Sequence, residues 1–166
     1  TTLPDRITVS GTPLAINGIG LREKYFIGVD IYVAGLYLQS PSKDAGKIIA
    51  ADETMALKIK IVTGLVDAEK FQEATMTGFK ESTNGNIEPF EEEIKMLMKA
   101  FSSEINNGDQ FDLQYVKGEG VKIIKNGKLE VVIPGLPFKQ AFFGIWLGNM
   151  AEKQLQTLRD QLLGTK

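Results

Sequence analysis

The segment "TMALKIKIV", residues 54–62, constrains the fold of this chain more than any other stretch. One face of an extended strand here carries only apolar side chains, at Met55, Leu57, Ile59 and Ile61. The opposite face carries Thr54, Lys58 and Lys60. Strict alternation of this kind indicates an antiparallel sheet that packs one face on a core and leaves the other in water.

Further strands are predicted on both sides of this segment. Residues 7–16 are typical of a hairpin around a Gly-Thr-Pro turn, which we expect at one edge of the sheet. Residues 29–38 alternate at first and then become apolar on both faces, which favours a strand that ends fully covered. After residue 110, three short alternating segments predict a meander, and the "KNGK" between the last two favours a type I′ turn.

Helices are predicted between and after these strands. A short helix should begin near Ser42, and Asp67 is a good N-cap for the next one. That second helix places one apolar side at Phe71, Thr75, Gly78 and Phe79. A third helix carries its stripe at Phe90, Ile94, Leu97, Met98, Phe101 and Ile105. "LPFKQAFFGIWLG" predicts a covering helix, and a break at Gly148-Asn149 separates it from a terminal helix with Leu155, Leu158 and Leu162 inward.

This order of elements predicts the α+β class, with one antiparallel sheet and helices on a single face of it. A chain of 166 residues is long enough to bury one substantial core and too short for two ordinary domains. We therefore expect a single domain over residues 1–166. The uncovered face of the sheet should be largely solvated.

Composition excludes several classes of function. The chain has no histidine and no cysteine, which removes Ser-His-Asp and Cys-His nucleophiles, histidine bases and disulfides. A formal net charge of −2, without a basic stripe, argues against nucleic acid as a partner. No apolar run approaches the roughly 18 to 20 residues of a transmembrane helix.

Three short motifs carry no cofactor or metal chemistry on inspection. The "GIG" at 18–20 precedes no helix and lacks the third glycine of a phosphate loop, so a turn is predicted there. "NNGDQFD" at 106–112 lacks the ligand spacing of a calcium loop. "EEE" at 91–93 is typical of a solvated helix N-terminus. We expect neither a cofactor nor a bound metal.

Arg22, in "NGIGLREKYFIGVDIYVAGLYL", has two interpretations. It can lie on the wet face of a strand and pair with Asp30 or another acid, or it can anchor a ligand. Regular strand geometry would place Arg22, Lys24 and Tyr32 on one face. Gly28 weakens the first interpretation, because glycine inside a strand often marks a bulge that redirects its neighbours.

Aromatic residues of the covering helix are similarly ambiguous. Phe138, Phe142, Phe143 and Trp146 can line an apolar pocket, but aromatic residues at helical spacing are more often core. The two interpretations are compatible if the core contains a cleft.

The segments "GIGLR" and "YVAGLYL", then "VTGLVDAEKFQEA" and "VVIPGLPFKQAFFGIWLG", resemble the chalcone isomerase fold family, and in particular its bacterial chalcone-isomerase-like branch. The resemblance covers nearly the whole chain. It implies an open-faced β-sandwich, in which a curved antiparallel sheet is covered by a helical layer with a ligand cleft between them.

The plant isomerases of this family use an arginine, a threonine, a tyrosine and an asparagine to cyclise a chalcone to a flavanone. The resemblance places the arginine at Arg22 and the threonine at Tyr32. The tyrosine and asparagine positions fall near Asp67 and Ala74. Of these four residues only the arginine is kept. The carboxylate of Asp67 would repel an enolate that develops beside it. An intramolecular lyase that acts on an enone through Arg22 and Tyr32 is therefore the alternative function.

The pair of Arg22 and Tyr32 resembles instead the plant fatty-acid-binding members of the fold, in which an arginine and a tyrosine hold a carboxylate at the end of an apolar tunnel. We therefore predict non-catalytic binding of a small amphipathic carboxylate by a monomer. The predicted ligand-binding residues are Arg22, Tyr32, Lys24, Phe71, Phe101, Phe142 and Trp146. A second alternative is an interaction or scaffold protein with a collapsed cleft.

The resemblance also bears on location, because bacterial relatives are commonly made with a signal peptide. The sequence begins "TTLPDRITVSG" without a methionine. We expect a periplasmic or secreted protein whose signal peptide has been removed.

Overall fold

The fold is one antiparallel sheet with helices, seen in a computed structural model that describes residues 2–24 and 29–165. Within these ranges, seven strands lie in chain order across the sheet. They are β1 Arg6–Val9, β2 Thr12–Lys24, β3 Val29–Leu38, β4 Met55–Ile61, β5 Gln110–Val116, β6 Gly120–Lys125 and β7 Lys128–Ile133. The α+β class predicted from the sequence is confirmed.

Five α-helices and one short 3₁₀ helix connect or follow the described strands. They are α1 Ala45–Ala50, α2 Ala68–Ser82, the 3₁₀ helix Glu88–Phe90, α3 Glu91–Ala100, α4 Leu136–Leu147 and α5 Lys153–Leu162. The connections from β3 to β4 and from β4 to β5 carry helices, yet each pair of strands is adjacent in the sheet. Chain order and spatial order therefore coincide throughout the sheet.

Several turns and caps follow from residue type alone. Asn126 and Gly127 both adopt positive φ, 50° and 83°, in the turn between β6 and β7, as the type I′ prediction requires. Asp67 caps α2, and its carboxylate accepts a hydrogen bond of 2.8 Å from the backbone N–H of Lys70.

The core lies between the sheet and the helices. Ala34 and Leu36 of β3, and Leu57 and Ile59 of β4, are fully buried members of it. Residues of opposite parity form a second, smaller cluster on the other face of the sheet: Val9, Leu14, Tyr37, Ala56 and Val116. That face is consequently less solvated than the sequence pattern predicts.

The turn predicted at "GIG" is wrong, because Gly18 and Gly20 lie inside β2. A Cβ atom on Gly18 would overlap the carbonyl oxygens of Gln161 and Leu162. These glycines let helix α5 approach the strand closely, a requirement that the local sequence does not reveal.

Three other boundaries differ from the prediction. The first hairpin turns at Ser10 and Gly11, both with positive φ, so the predicted Gly-Thr-Pro turn gives way to a strand that already starts at Thr12. Helix α1 begins close to the predicted position, but its cap is Asp44 and not Ser42: the Asp44 carboxylate accepts a hydrogen bond of 3.1 Å from the N–H of Lys47.

Helix α3 ends at Ala100, before the last two residues of its predicted stripe. The Ser102 hydroxyl donates to the carbonyl of Lys99 at 2.6 Å, and such local bonds compete with helical ones. Phe101 and Ile105 stay buried although they lie beyond the helix.

Lys139 of α4 is completely buried. Its Nζ donates to the carbonyl oxygens of Ile48, Ile49 and Ala51, at 2.7, 2.8 and 2.7 Å, where α1 ends. These carbonyls have no helical partner, so the ammonium group satisfies three acceptors at once. Burial lowers the pKa of Lys139 to about 8.

We expect Asp67→Ala to lower the free energy of unfolding by about 1 kcal/mol, because the first turn of α2 loses its side-chain acceptor. Urea unfolding followed by circular dichroism measures the change. Glu73→Ala, at an exposed position in the middle of the same helix, is the control and should leave the stability nearly unchanged. Equal effects of the two substitutions would contradict the cap.

Candidate ligand-binding site

A cavity of about 640 Å³ lies among β2, β3, the connection from β4 to α2, and helices α2, α4 and α5. Its apolar wall is formed by Val29, Ile31, Leu65, Val66, Phe71, Ala74, Gly78, Ile145, Trp146 and Leu155. The polar side chains on the wall are Arg22, Tyr32, Thr63, Lys70, Thr75, Thr77, Glu81 and Glu152. The volume falls in the usual range for small-molecule pockets, about 300–1,000 Å³.

Arg22 and Tyr32 lie directly opposite each other on the neighbouring strands β2 and β3. Residues paired across an antiparallel ladder project their side chains from the same face of the sheet. Both residues line the cavity. The antiparallel register therefore brings the predicted pair together at its wall.

A β-bulge in β3 shapes this part of the wall. Arg22 pairs with Tyr32, but the next pair joins Glu23 to Asp30, so Ile31 is the extra residue. Ile31 and Tyr32 both line the cavity although they are consecutive in a strand. The bulge permits this, since it interrupts the normal alternation of side chains. The bulge predicted at Gly28 lies outside the described residues.

The Tyr32 hydroxyl is held in place by Trp146, whose Nε1–H donates to it at 3.0 Å. Burial raises the pKa of Tyr32 above its ordinary value, so the phenol stays protonated at neutral pH. Among the residues that the structure describes, its own hydroxyl hydrogen has no acceptor. Tyr32 can therefore donate a hydrogen bond to a molecule in the cavity.

Arg22 forms a bidentate ion pair with Glu152, the residue that precedes α5. The two hydrogen bonds are 3.0 Å from Nη1 to Oε1 and 2.8 Å from Nη2 to Oε2. Nη1 also donates to the carbonyl oxygen of Glu23 at 2.6 Å. The Arg22 side chain is 14% exposed and that of Glu152 is 35% exposed. Asp30, which the sequence suggested as a partner for Arg22, lies opposite Glu23 instead.

The remaining polar groups balance the charge of the cavity. Lys70 adds a second cation and Glu81 a second carboxylate, so the formal charges of the wall cancel. The Glu81 carboxylate accepts a hydrogen bond of 3.3 Å from the N–H of Ala151. The Thr75 hydroxyl donates to the carbonyl of Phe71 within α2 and is thereby satisfied internally.

The predicted ligand-binding residues separate into three groups. Arg22, Tyr32, Phe71 and Trp146 line the cavity. Phe101 and Phe142 are buried behind this wall, with ring centroids 5.0 Å from Phe71 and 5.3 Å from Trp146 respectively. The side chain of Lys24 lies outside the described part of the structure.

Sequence reasoning missed Glu152, the residue that contacts Arg22 most directly. The two are 130 residues apart, and no periodicity or motif connects them. It also missed Lys70 and Glu81 on α2, whose positions on the cavity side of that helix follow from the packing of α2 against α4.

The two positions that correspond to the isomerase tyrosine and asparagine are also placed. Ala74 lines the cavity with a methyl group that cannot donate a hydrogen bond. The Asp67 carboxylate caps α2, and Asp67 is not among the lining residues. In residues 2–24 and 29–165 there is no group of three or more acidic, histidine or cysteine side chains that could hold a metal ion. No helix in those ranges is long and apolar enough to cross a membrane.

A protein-family model described as chalcone isomerase-like matches residues 1–164. The chain therefore belongs to the chalcone isomerase-like family, and the resemblance noted from the sequence is confirmed. Comparison with curated proteins gives no match.

Among solved structures, the fold is similar to the crystal structure of the Arabidopsis thaliana fatty-acid binding protein AtFAP1. The TM-score is 0.73 at 17% sequence identity, over 97% of this chain and 90% of that one. At this identity the likeness concerns the fold, and the site must be argued from its own residues.

Proposed function

We propose that this protein binds a small amphipathic carboxylate, such as a fatty acid, in the cavity without converting it. The observation that carries the proposal is the position of Arg22 and Tyr32, opposite each other at the wall of a cavity whose other walls are mainly apolar. Such a site offers a cation and a neutral donor to a head group, and apolar surface to a tail.

The chemistry of each part suits this class of ligand. A guanidinium presents a planar fork of donors that matches a carboxylate, and the Tyr32 hydroxyl adds a third donor. Burial of the tail in the apolar wall contributes about 0.8 kcal/mol per CH₂ group. The similar fold of a protein named as a fatty-acid binding protein supports the proposal independently of these residues.

Catalysis on an enone is the alternative that family membership raises. Arg22 and Tyr32 could stabilise an enolate there, but Ala74 and Asp67 supply neither of the further donors that the plant isomerases use. Chalcone absorbance that decays faster with the protein than in buffer would favour this alternative over simple binding. Location and oligomeric state stay predictions from the sequence.

Titration with decanoate tests the proposal, and Trp146 supplies the signal because it is the only tryptophan and lines the cavity. The wild-type protein is expected to bind decanoate with a change in Trp146 fluorescence. Ala74→Trp, at an exposed position of α2 on the cavity wall, should weaken binding about ten-fold or more, because the indole occupies ligand volume. Since that variant adds a second indole, calorimetry measures its affinity.

The control is Glu73→Trp, which places the same indole at the adjacent exposed position, outside the cavity wall. It should bind decanoate like the wild type. Absence of decanoate binding by folded wild-type protein, or equal binding by both tryptophan variants, would contradict the proposed site.

A further inference from the structure

The Arg22 guanidinium is already hydrogen-bonded to Glu152 through both of its terminal nitrogens. Both carboxylate oxygens of Glu152 accept hydrogen bonds, from Nη1 and Nη2, in the geometry that a ligand carboxylate would adopt. The second hydrogen on Nη1 is directed to the carbonyl of Glu23. A ligand anion that enters the cavity therefore meets a cation that is already neutralised by the chain itself.

We propose that Glu152 is a selectivity residue, an internal competitor that a ligand carboxylate must displace from Arg22 before it binds. The inference rests on the proposed function, because it concerns the same cavity and the same class of ligand. Its consequence is a site that penalises carboxylates relative to neutral amphiphiles of equal length, whose head groups need only the Tyr32 hydroxyl.

Displacement of Glu152 is feasible because its side chain is partly exposed, at 35%, and lies at a helix end. It is the N-cap residue of α5, yet its side chain makes no capping hydrogen bond. The first backbone N–H groups of a helix favour a nearby negative charge. Once released from Arg22, the carboxylate can move toward water or toward the N-terminus of its own helix.

The pair of Arg22 and Glu152 is not needed to hold α5 on the sheet. Independent contacts do so farther along the helix, where the backbone N–H of Leu21 donates to Gln161 Oε1 at 3.0 Å. Asn17 Nδ2 donates to the carbonyl of Leu162 at 3.0 Å, and Gly18 lies directly against the same turn. A substitution at Glu152 should therefore leave the fold intact.

Glu81 provides a matched control within the same cavity. It carries the same charge as Glu152 and lines the same wall, but its hydrogen bond goes to the N–H of Ala151 and not to Arg22. Glu81→Gln keeps an acceptor for that N–H and changes the net charge of the wall as Glu152→Gln does. The two variants separate direct competition from the general field of the cavity.

The test is a calorimetric titration of wild type, E152Q and E81Q with decanoate and with decanol. E152Q should bind decanoate about ten-fold more tightly than wild type, while decanol affinity stays within about three-fold. E81Q should leave the ratio of decanoate to decanol affinity within about three-fold of the wild-type ratio.

Unchanged or weaker decanoate binding by E152Q would overturn the inference. That result is expected if Glu152 only holds Arg22 in place, because its loss would then disorder the guanidinium or have no effect. Equal tightening by E81Q would overturn it as well and would assign the effect to net charge. If wild type binds decanoate in either case, the proposed function stands. If neither wild type nor E152Q binds decanoate or decanol, both proposals fall.

Discussion

Arg22→Met is expected to weaken decanoate binding by about 100-fold or more. The substitution removes the guanidinium fork and leaves the negative charge of Glu152 at the cavity wall without its balancing cation. Truncating one partner of a buried, hydrogen-bonded charge pair across a binding interface costs about 2–5 kcal/mol, and the Arg22 side chain that would pair with the ligand carboxylate is only 14% exposed. Methionine keeps much of the length and apolar surface of the arginine stem, so the loss reports mainly on charge.

Calorimetry with decanoate and decanol measures the effect, and the double variant Arg22→Met with Glu152→Gln is the control. It removes both charges, so it should bind decanoate more tightly than Arg22→Met and more weakly than Glu152→Gln. The four proteins form a double-mutant cycle that gives the coupling between the two side chains. Decanol should bind all four within about three-fold. Equal losses for decanoate and decanol in Arg22→Met would assign the effect to packing and contradict an anion site.

The parts of the fold that the sequence predicted are those with local causes. Period-two alternation in residues 54–62 depends only on which side of a strand faces the core, and Met55, Leu57, Ile59 and Ile61 of β4 are all buried as it predicts. The caps and turns at Asp67 and Asn126-Gly127 depend on side-chain reach and allowed φ, so residue type is sufficient.

The sequence predictions fail where the conformation of one segment depends on contacts with another that is distant in the chain. Gly18 and Gly20 resemble a turn until α5 is placed against them, because the need for a small residue comes from Gln161 and Leu162. The bulge at Ile31 belongs to the pairing of β2 with β3 and not to either strand alone. Tertiary contacts of this kind leave no periodic trace in the sequence.

The candidate site combines both situations. Arg22 and Tyr32 could be singled out from the family resemblance, and the register of two neighbouring strands brings them together. Glu152 completes the electrostatics of Arg22 from the opposite end of the chain, and it changes the chemistry from a free cation to a neutralised one. A candidate site can thus be located from the sequence, while the charge balance at that site depends on a partner found only in three dimensions.

Lys139→Met is expected to lower the free energy of unfolding by about 4 kcal/mol at neutral pH, the largest stability effect predicted here. The change leaves the carbonyl oxygens of Ile48, Ile49 and Ala51 without their donor. A buried acceptor that loses its partner costs about 1–3 kcal/mol, and removal of the buried charge offsets part of the sum. Urea unfolding measures the change, and the exposed Lys153→Met should stay within about 0.5 kcal/mol of wild type.

The pH dependence of that difference tests the environment of Lys139 separately. Burial lowers its pKa from 10.5 to about 8 in the folded protein, against a smaller opposing effect of Asp52 and Glu53. Between these two pKa values the unfolded chain binds more protons at Lys139 than the folded protein does. The contribution of Lys139 to wild-type stability therefore rises with pH in this window, and it is lost as the pH falls through about 8.

The gap in unfolding free energy between wild type and Lys139→Met should therefore be wider at a pH of about 9.5 than at about 7, since only wild type gains from this linkage. Measurements should remain below pH 10. Burial raises the pKa of Tyr37 and Tyr115 from 10.0 to about 12 in the folded protein. Ionisation of these tyrosines in the unfolded chain therefore lowers stability once the pH exceeds 10.0. A gap that stays constant or narrows would mean that the three carbonyl acceptors keep the Lys139 ammonium charged in the folded state. It would contradict the conclusion that burial is the main influence on the pKa of Lys139.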